Sequence, residues 1–177
     1  MLDFSALLHQ CTPANVAIDT MHRIVSVESA RRPHAIGFRL IRRTRSTVDG
    51  KVVLRKQIAS LSGQPKTLDE AVAWAHYLRA QGYDFDAGIA QIHSTNFARY
   101  GLTIEAAFDP CRSIAVSGQI LTECYTRALQ RFRSPAPALK AAISCYQSGD
   151  FETGFGTGYV QKVIAAPSGA RGLTAES

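Results

Sequence analysis

Apolar residues recur at helical spacing through much of this 177-residue chain, and the interruptions divide it into elements. After Thr12-Pro13, the residues Val16, Met21, Ile24 and Val25 fall on one helical stripe, and proline suits a first helical position. Pro33 disfavours helix in the residue before it, so this helix is expected to end near Ser29 or Ala30. Between Phe38 and Ser60 the period changes. Residues 48–53, Val-Asp-Gly-Lys-Val-Val, place a turn pair between β-branched residues, with arginines alternating before them, and predict a small two-stranded hairpin. Gly63 and Pro65 close it. Thr67 then caps a helix with an apolar face of Leu68, Ala71, Val72, Ala75 and Leu78, and Gly82 stops it. A glycine-bearing loop from Tyr83 leads to a short helix. Asp109-Pro110 opens a long helix carrying Ile114, Val116, Ile120, Leu121, Tyr125 and Leu129. Ser134-Pro135 opens another, through Leu139, Ala142 and Ile143 towards Tyr146. Gly149, Gly154, Gly156 and Gly158 predict a loop, Tyr159 to Ala166 a last short helix, and 167–177 a flexible tail. The pattern is mainly α: a single helical domain over 1–166 with a small β-hairpin excursion, and no internal repeat.

Composition narrows the class. A hydrophobic fraction of 46% supports one ordinary core at this length. No apolar run reaches the roughly 18 residues a membrane-spanning helix requires. The start, Met-Leu-Asp-Phe-Ser-Ala-Leu-Leu-His-Gln-Cys, lacks a basic region and a long apolar run, so no signal peptide is expected in this chain. The net charge of +6 favours an anionic partner: nucleic acid, acidic lipid or an acidic wall polymer. No nucleic-acid recognition motif is visible, and no nucleic-acid partner is expected. Much of the excess lies in Arg31, Arg32, Arg39, Arg42, Arg43, Arg45, Lys51, Arg55 and Lys56, which read as a solvated hairpin or as a binding surface. Cys11, Cys111, Cys124 and Cys145 include no CxxC pair, so neither a metal site nor a cofactor is expected. They allow two disulfides in any of three pairings, or four buried thiols.

One residue breaks the pattern. Glu28 lies four residues after Ile24, three after Val25 and seven after Met21, on the stripe that should face the core. Burial there disfavours its charged form, and the negative end of the helix dipole opposes an anion in the last turn. Both effects raise its pKa towards that of a useful general acid. The competing reading is an ion pair with Arg31 or Arg32.

Three separated motifs bear on that choice. Glu-Ser-Ala-Arg-Arg-Pro-His-Ala-Ile-Gly (28–37) resembles the Glu-Ser…Pro-x-Ala-x-Gly signature of lytic transglycosylases with a goose-lysozyme-like fold. Gly-Ile-Ala-Gln-Ile (88–92) resembles their Gly-Leu-Met-Gln-Ile motif, and Ser-Cys-Tyr-Gln-Ser-Gly (144–149) their Ala-Tyr-Asn-x-Gly motif. The stretches around Gly82–Thr103, Phe108–Tyr125 and Gly156–Val163 are similar to the specialised transglycosylases of type IV secretion systems. The resemblance implies an α+β, lysozyme-like fold that cleaves the β-1,4 bond between N-acetylmuramic acid and N-acetylglucosamine and leaves a 1,6-anhydro ring. It makes Glu28 the acid and base. Ser29 would orient it or touch substrate, Gly88 and Gln91 would line the cleft, with Gln91 bonding sugar, and Tyr146 would approach Glu28 and hold its proton. It implies peptidoglycan glycan strands and secretion-system components as partners, and the periplasm as the compartment, with a native leader cut off or left out. Ala90, Cys145 and Gln147 depart from the family's usual Met, Ala and Asn. Two other readings remain: a hydrolytic muramidase using Asp84 or Asp86 as a second acid, and a non-catalytic wall-binding scaffold.

Overall fold

The computed structural model describes residues 3–48 and 51–168, and side chains within them outside 39–60. The Asp49-Gly50 turn, tail residues 169–177 and the basic side chains from Arg39 to Lys56 therefore lie outside the described residues.

The first helix is one that the apolar pattern did not predict. α1 (Phe4–Cys11) is capped by Asp3, whose carboxylate accepts from the Ser5 and Ala6 amides at 3.0 and 3.2 Å. Its extent corrects the expected start of the next helix. Thr12 closes α1, the Val16 amide bonds the Pro13 carbonyl in a turn, and α2 (Ile18–Ser29) begins beyond it. Pro13 thus opens a turn instead of a helix. α2 finishes at Ser29, as expected, with Ala30 and Arg31 both left-handed at φ of 52° and 64°.

β1 (Ile36–Gly37) is followed by the predicted hairpin, β2 (Arg39–Val48) and β3 (Lys51–Ser60), in register from Arg39 opposite Ser60 to Val48 opposite Lys51. α3 (Leu68–Ala80) has Thr67 as its cap, accepting from the Glu70 amide at 3.2 Å, and Gly82 follows at φ 73°. The loop beyond holds two short strands, β4 (Asp86–Ala87) and β5 (Ile92–His93). With β1 they form a three-stranded antiparallel sheet, β4 in the middle. Two-residue strands have no period to detect, and this sheet was not foreseen. Then come α4 (Ile104–Phe108), α5 (Pro110–Phe132), α6 (Pro135–Ser148), α7 (Thr153–Gly156) and α8 (Tyr159–Ala165). α7 is a single turn within the stretch expected to be loop. Leu139, placed on the apolar face of α6, is 37% exposed. Among the described residues no helix is long and apolar enough to cross a membrane.

Two apolar clusters share α2. Met21 and Val25 join the larger, with residues of α1, α3, α4 and the small sheet; Ile24 joins the second, with residues of α5, α6 and α8. These three side chains are fully buried, and each contributes about 1.5–3 kcal/mol by leaving water. Disulfides settle the cysteine question: Cys11–Cys111 ties α1 to α5, and Cys124–Cys145 ties α5 to α6. The last turn of α2 therefore emerges between two separately braced clusters, and that is where the cleft lies.

Candidate active site

The cleft has a volume of about 770 Å3 and is lined by Glu28 together with residues of both clusters. Asp86, Gln91 and Ile92 come from the sheet side, and Cys124, Cys145, Tyr146 and Tyr159 from the helical side. Glu28 is half-buried among them. Loss of water at its carboxyl is the main cause that raises its pKa to about 7, and the negative charge of Asp86 adds to the rise. A hydrogen bond from the Tyr159 hydroxyl to Glu28 Oε1 opposes both.

No cation meets this carboxyl among the described residues. Arg31 turns away after the two left-handed residues; its guanidinium lies 4.8 Å from the Phe4 ring centroid and its Nε donates to Ser26 Oγ. Arg32 Nε donates to the Ser29 carbonyl at 3.0 Å. The ion-pair reading of Glu28 is set aside by these contacts.

The segment 88–91 is held almost entirely through its backbone. Ser29 Oγ donates to the Ile89 carbonyl at 2.7 Å, and Tyr146 donates to the Ala90 carbonyl at 2.7 Å. The Ala90 amide donates to Ser113 Oγ at 3.3 Å, and the Gly88 amide to the Ala35 carbonyl at 2.9 Å. Gln91, itself left-handed at φ 50°, uses its Nε2 on the Ala35 and Gly88 carbonyls at 3.0 and 2.9 Å. That leaves its Oε1 as the group able to accept from a ligand. Gly88 has φ 79°, and a Cβ there would stand 2.1 Å from the Ala107 carbonyl oxygen, so α4 packs where only glycine fits.

Across the sheet, Gly37, Asp86 and His93 form one row. A Cβ on Gly37 would lie 2.7 Å from Gln91 Oε1 and 3.0 Å from Asp86 Oδ2, so the missing side chain leaves room for both polar groups at the cleft. Burial pushes the Asp86 carboxyl up; the neighbouring His93 opposes this and Asp84 adds to it. Asp84 is not part of the lining, and accepts from Ser94 Oγ.

The expected site residues thus separate by role. Glu28, Gln91 and Tyr146 line the cleft, whereas Ser29 (2% exposed) and Gly88 stand behind it. Tyr146 does not donate to Glu28: its hydroxyl accepts from Ser117 Oγ at 2.9 Å and is committed to the Ala90 carbonyl. Tyr159, not singled out from the sequence, is the phenol on the carboxyl. Burial and the Glu28 charge hold both phenols well above their usual range, so each remains a neutral donor. The available sign of Tyr159 was weak: an aromatic residue opening a short apolar helix after glycines. Chemically, the arrangement is a carboxyl that can give and take a proton near neutral pH, braced by a phenol, beside a second carboxylate.

The family model described as Transglycosylase SLT domain matches residues 12–165. The type IV secretion system protein virB1 of Brucella suis biovar 1 is 41% identical over 172 residues, covering 94% of this chain and 64% of its own length. Protein virB1 of Rhizobium radiobacter is 32% identical over 164 residues, covering 93% of this chain and 60% of its own. Protein virB1 of Agrobacterium fabrum is 28% identical over 173 residues, covering 93% and 59%. The chain therefore spans less than two thirds of the length of these relatives. No solved structure matches it.

Proposed function

The chain belongs to the transglycosylase SLT domain family, and on that premise we propose that it is a peptidoglycan lytic transglycosylase in which Glu28 is both acid and base. The observation that carries this reading is the Glu28 carboxyl in the cleft, held near pKa 7, bonded by Tyr159 and free of any cation among the described residues. Protonated Glu28 gives its proton to the glycosidic oxygen as the bond from that oxygen to the muramyl anomeric carbon breaks. The carboxylate then takes the proton of the muramyl 6-hydroxyl, whose oxygen closes on the anomeric carbon as a 1,6-anhydro ring. The proton returns to Glu28, and no water is consumed. Burial favours the first step by keeping the acid protonated, and Tyr159 favours the second by stabilising the anion.

The other residues divide accordingly. Gln91 offers Oε1 to a sugar hydroxyl, while Ser29, Gly88 and Tyr146 position the segment that carries it. Residues 1–166 form the catalytic domain and 167–177 a tail, in keeping with the matched span. We place its work in the periplasm, opening a passage in the wall for a type IV secretion apparatus; the name of the Brucella relative, a type IV secretion system protein, supports the secretion setting.

A second reading has one observation in its favour. Asp86 shares the cleft with Glu28, as a hydrolytic muramidase with two carboxylates would require. Mass analysis of products from purified sacculi separates the two. Anhydro-muropeptides are expected; muropeptides one water heavier, with a reducing muramic end, would sink the transglycosylase assignment. Glu28→Gln is expected to lower turnover by about 10²–10⁴-fold. Turnover of the variant at the parental rate would mean that Glu28 is not the acid; no turnover by the parent would leave a wall-binding scaffold.

A further inference from the structure

Three cations also line the cleft: Arg99, Arg127 and Lys162. Arg99 is already engaged, donating to Glu123 Oε2 at 2.6 Å, while Tyr100 donates to the same oxygen at 2.9 Å. The other two are exposed and, among the described residues, make no ion pair. Arg127 stacks 5.4 Å from the Phe151 ring centroid, which fixes its direction. Lys162 lies one turn beyond Tyr159 on α8. α6 packs against both α5 and α8, and its end at Tyr146–Gly149 lines the same cleft as the two cations.

The sugar rings of a glycan strand are uncharged and offer such cations nothing. The anionic part of peptidoglycan is the peptide stem on each muramyl residue, with its free carboxylates. We infer that Arg127 and Lys162 select strands that carry peptide stems, by binding stem carboxylates at the rim of the cleft. This rests on the transglycosylase reading and names the form of substrate it prefers. A role confined to neutralising the negative end of α6 would act on stability and would not depend on the substrate.

The test compares two substrates: glycan strands with free stem carboxylates, and the same strands after carbodiimide and ammonia have turned those carboxylates into amides. The parent is expected to show a kcat/KM on the order of tenfold higher on the strands with free stem carboxylates, with the gap shrinking as salt is added. Arg127→Gln combined with Lys162→Gln is expected to bring that ratio close to one, mainly through KM. Lys162→Gln alone, at an exposed position, is expected to give part of the same shift. A parent that does not discriminate, or a double variant that keeps the parental ratio, overturns the inference. A parent that releases no anhydro product from either substrate overturns the transglycosylase reading and this inference with it.

Discussion

Two tyrosines on adjacent helices meet the same cleft and do different work. Tyr146 on α6 receives from the Ser117 hydroxyl and donates to the Ala90 backbone carbonyl. Tyr159 on α8 is bonded to the Glu28 carboxyl, the proposed acid and base. Tyr159 is buried and Tyr146 half-buried, and both remain neutral, so their chemistry is alike; position alone separates them. The difference teaches that this cleft has a fixed wall and a reactive wall. The fixed wall is the 88–91 segment, each carbonyl from Gly88 to Ala90 receiving a side-chain donor. The reactive wall is Glu28 with Tyr159, opposite the charge of Asp86.

Substitutions can break that contrast. The largest effect is expected from Tyr159→Phe, which removes a hydrogen bond that favours the Glu28 anion and should lower kcat about tenfold. On the proposed mechanism activity needs protonated Glu28 and is expected to fall as pH rises through its pKa of about 7. Loss of the phenol raises that pKa further, so the alkaline limb of the pH–rate profile should move upward; a limb moving downward would contradict the assigned role. Tyr146→Phe should leave the limb in place and change kcat less than about threefold. It should cost about 1–3 kcal/mol in denaturant unfolding, because the Ala90 carbonyl loses its donor. If Tyr146→Phe moved the limb as far as Tyr159→Phe, the division between the walls would fail.

Asp86→Asn is the smallest and the sharpest. Its charge raises the Glu28 pKa, so its removal should shift the alkaline limb down with kcat little changed. A loss of more than about a hundredfold would place Asp86 in the chemistry and favour hydrolysis.

How much of this was legible depended on range. Glu28 stood out because its anomaly is local: an acid on an apolar stripe, in the last turn of a helix ended by Pro33. Helices α3, α5 and α6 were legible for the same reason, each with a cap or proline at its start. Tyr146 was visible within a recognisable motif, yet its motif says nothing of which oxygen it faces. Ser113 and Ser117 sit on a helix as small polar residues that any surface could carry; only packing buries them. Asp86 looked like a loop residue because β4 has two residues, and its pairing with Gly37 and His93 spans distant segments. α1 was missed because Pro13 gave a stronger start signal than Asp3, and the turn at 13–16 used it otherwise.

By itself, then, the sequence determined the helical class, the hairpin, the helix that ends at Ser29 and the acid upon it. Those follow from periodicity, capping and proline sterics, which act over a few residues. The disulfide pairing, the cleft between two clusters and the choice of Tyr159 over Tyr146 were decided only by tertiary structure. Hydrogen bonds and burial in a cleft join residues 28, 86 and 159, and nothing local to any of them records where the other two will be.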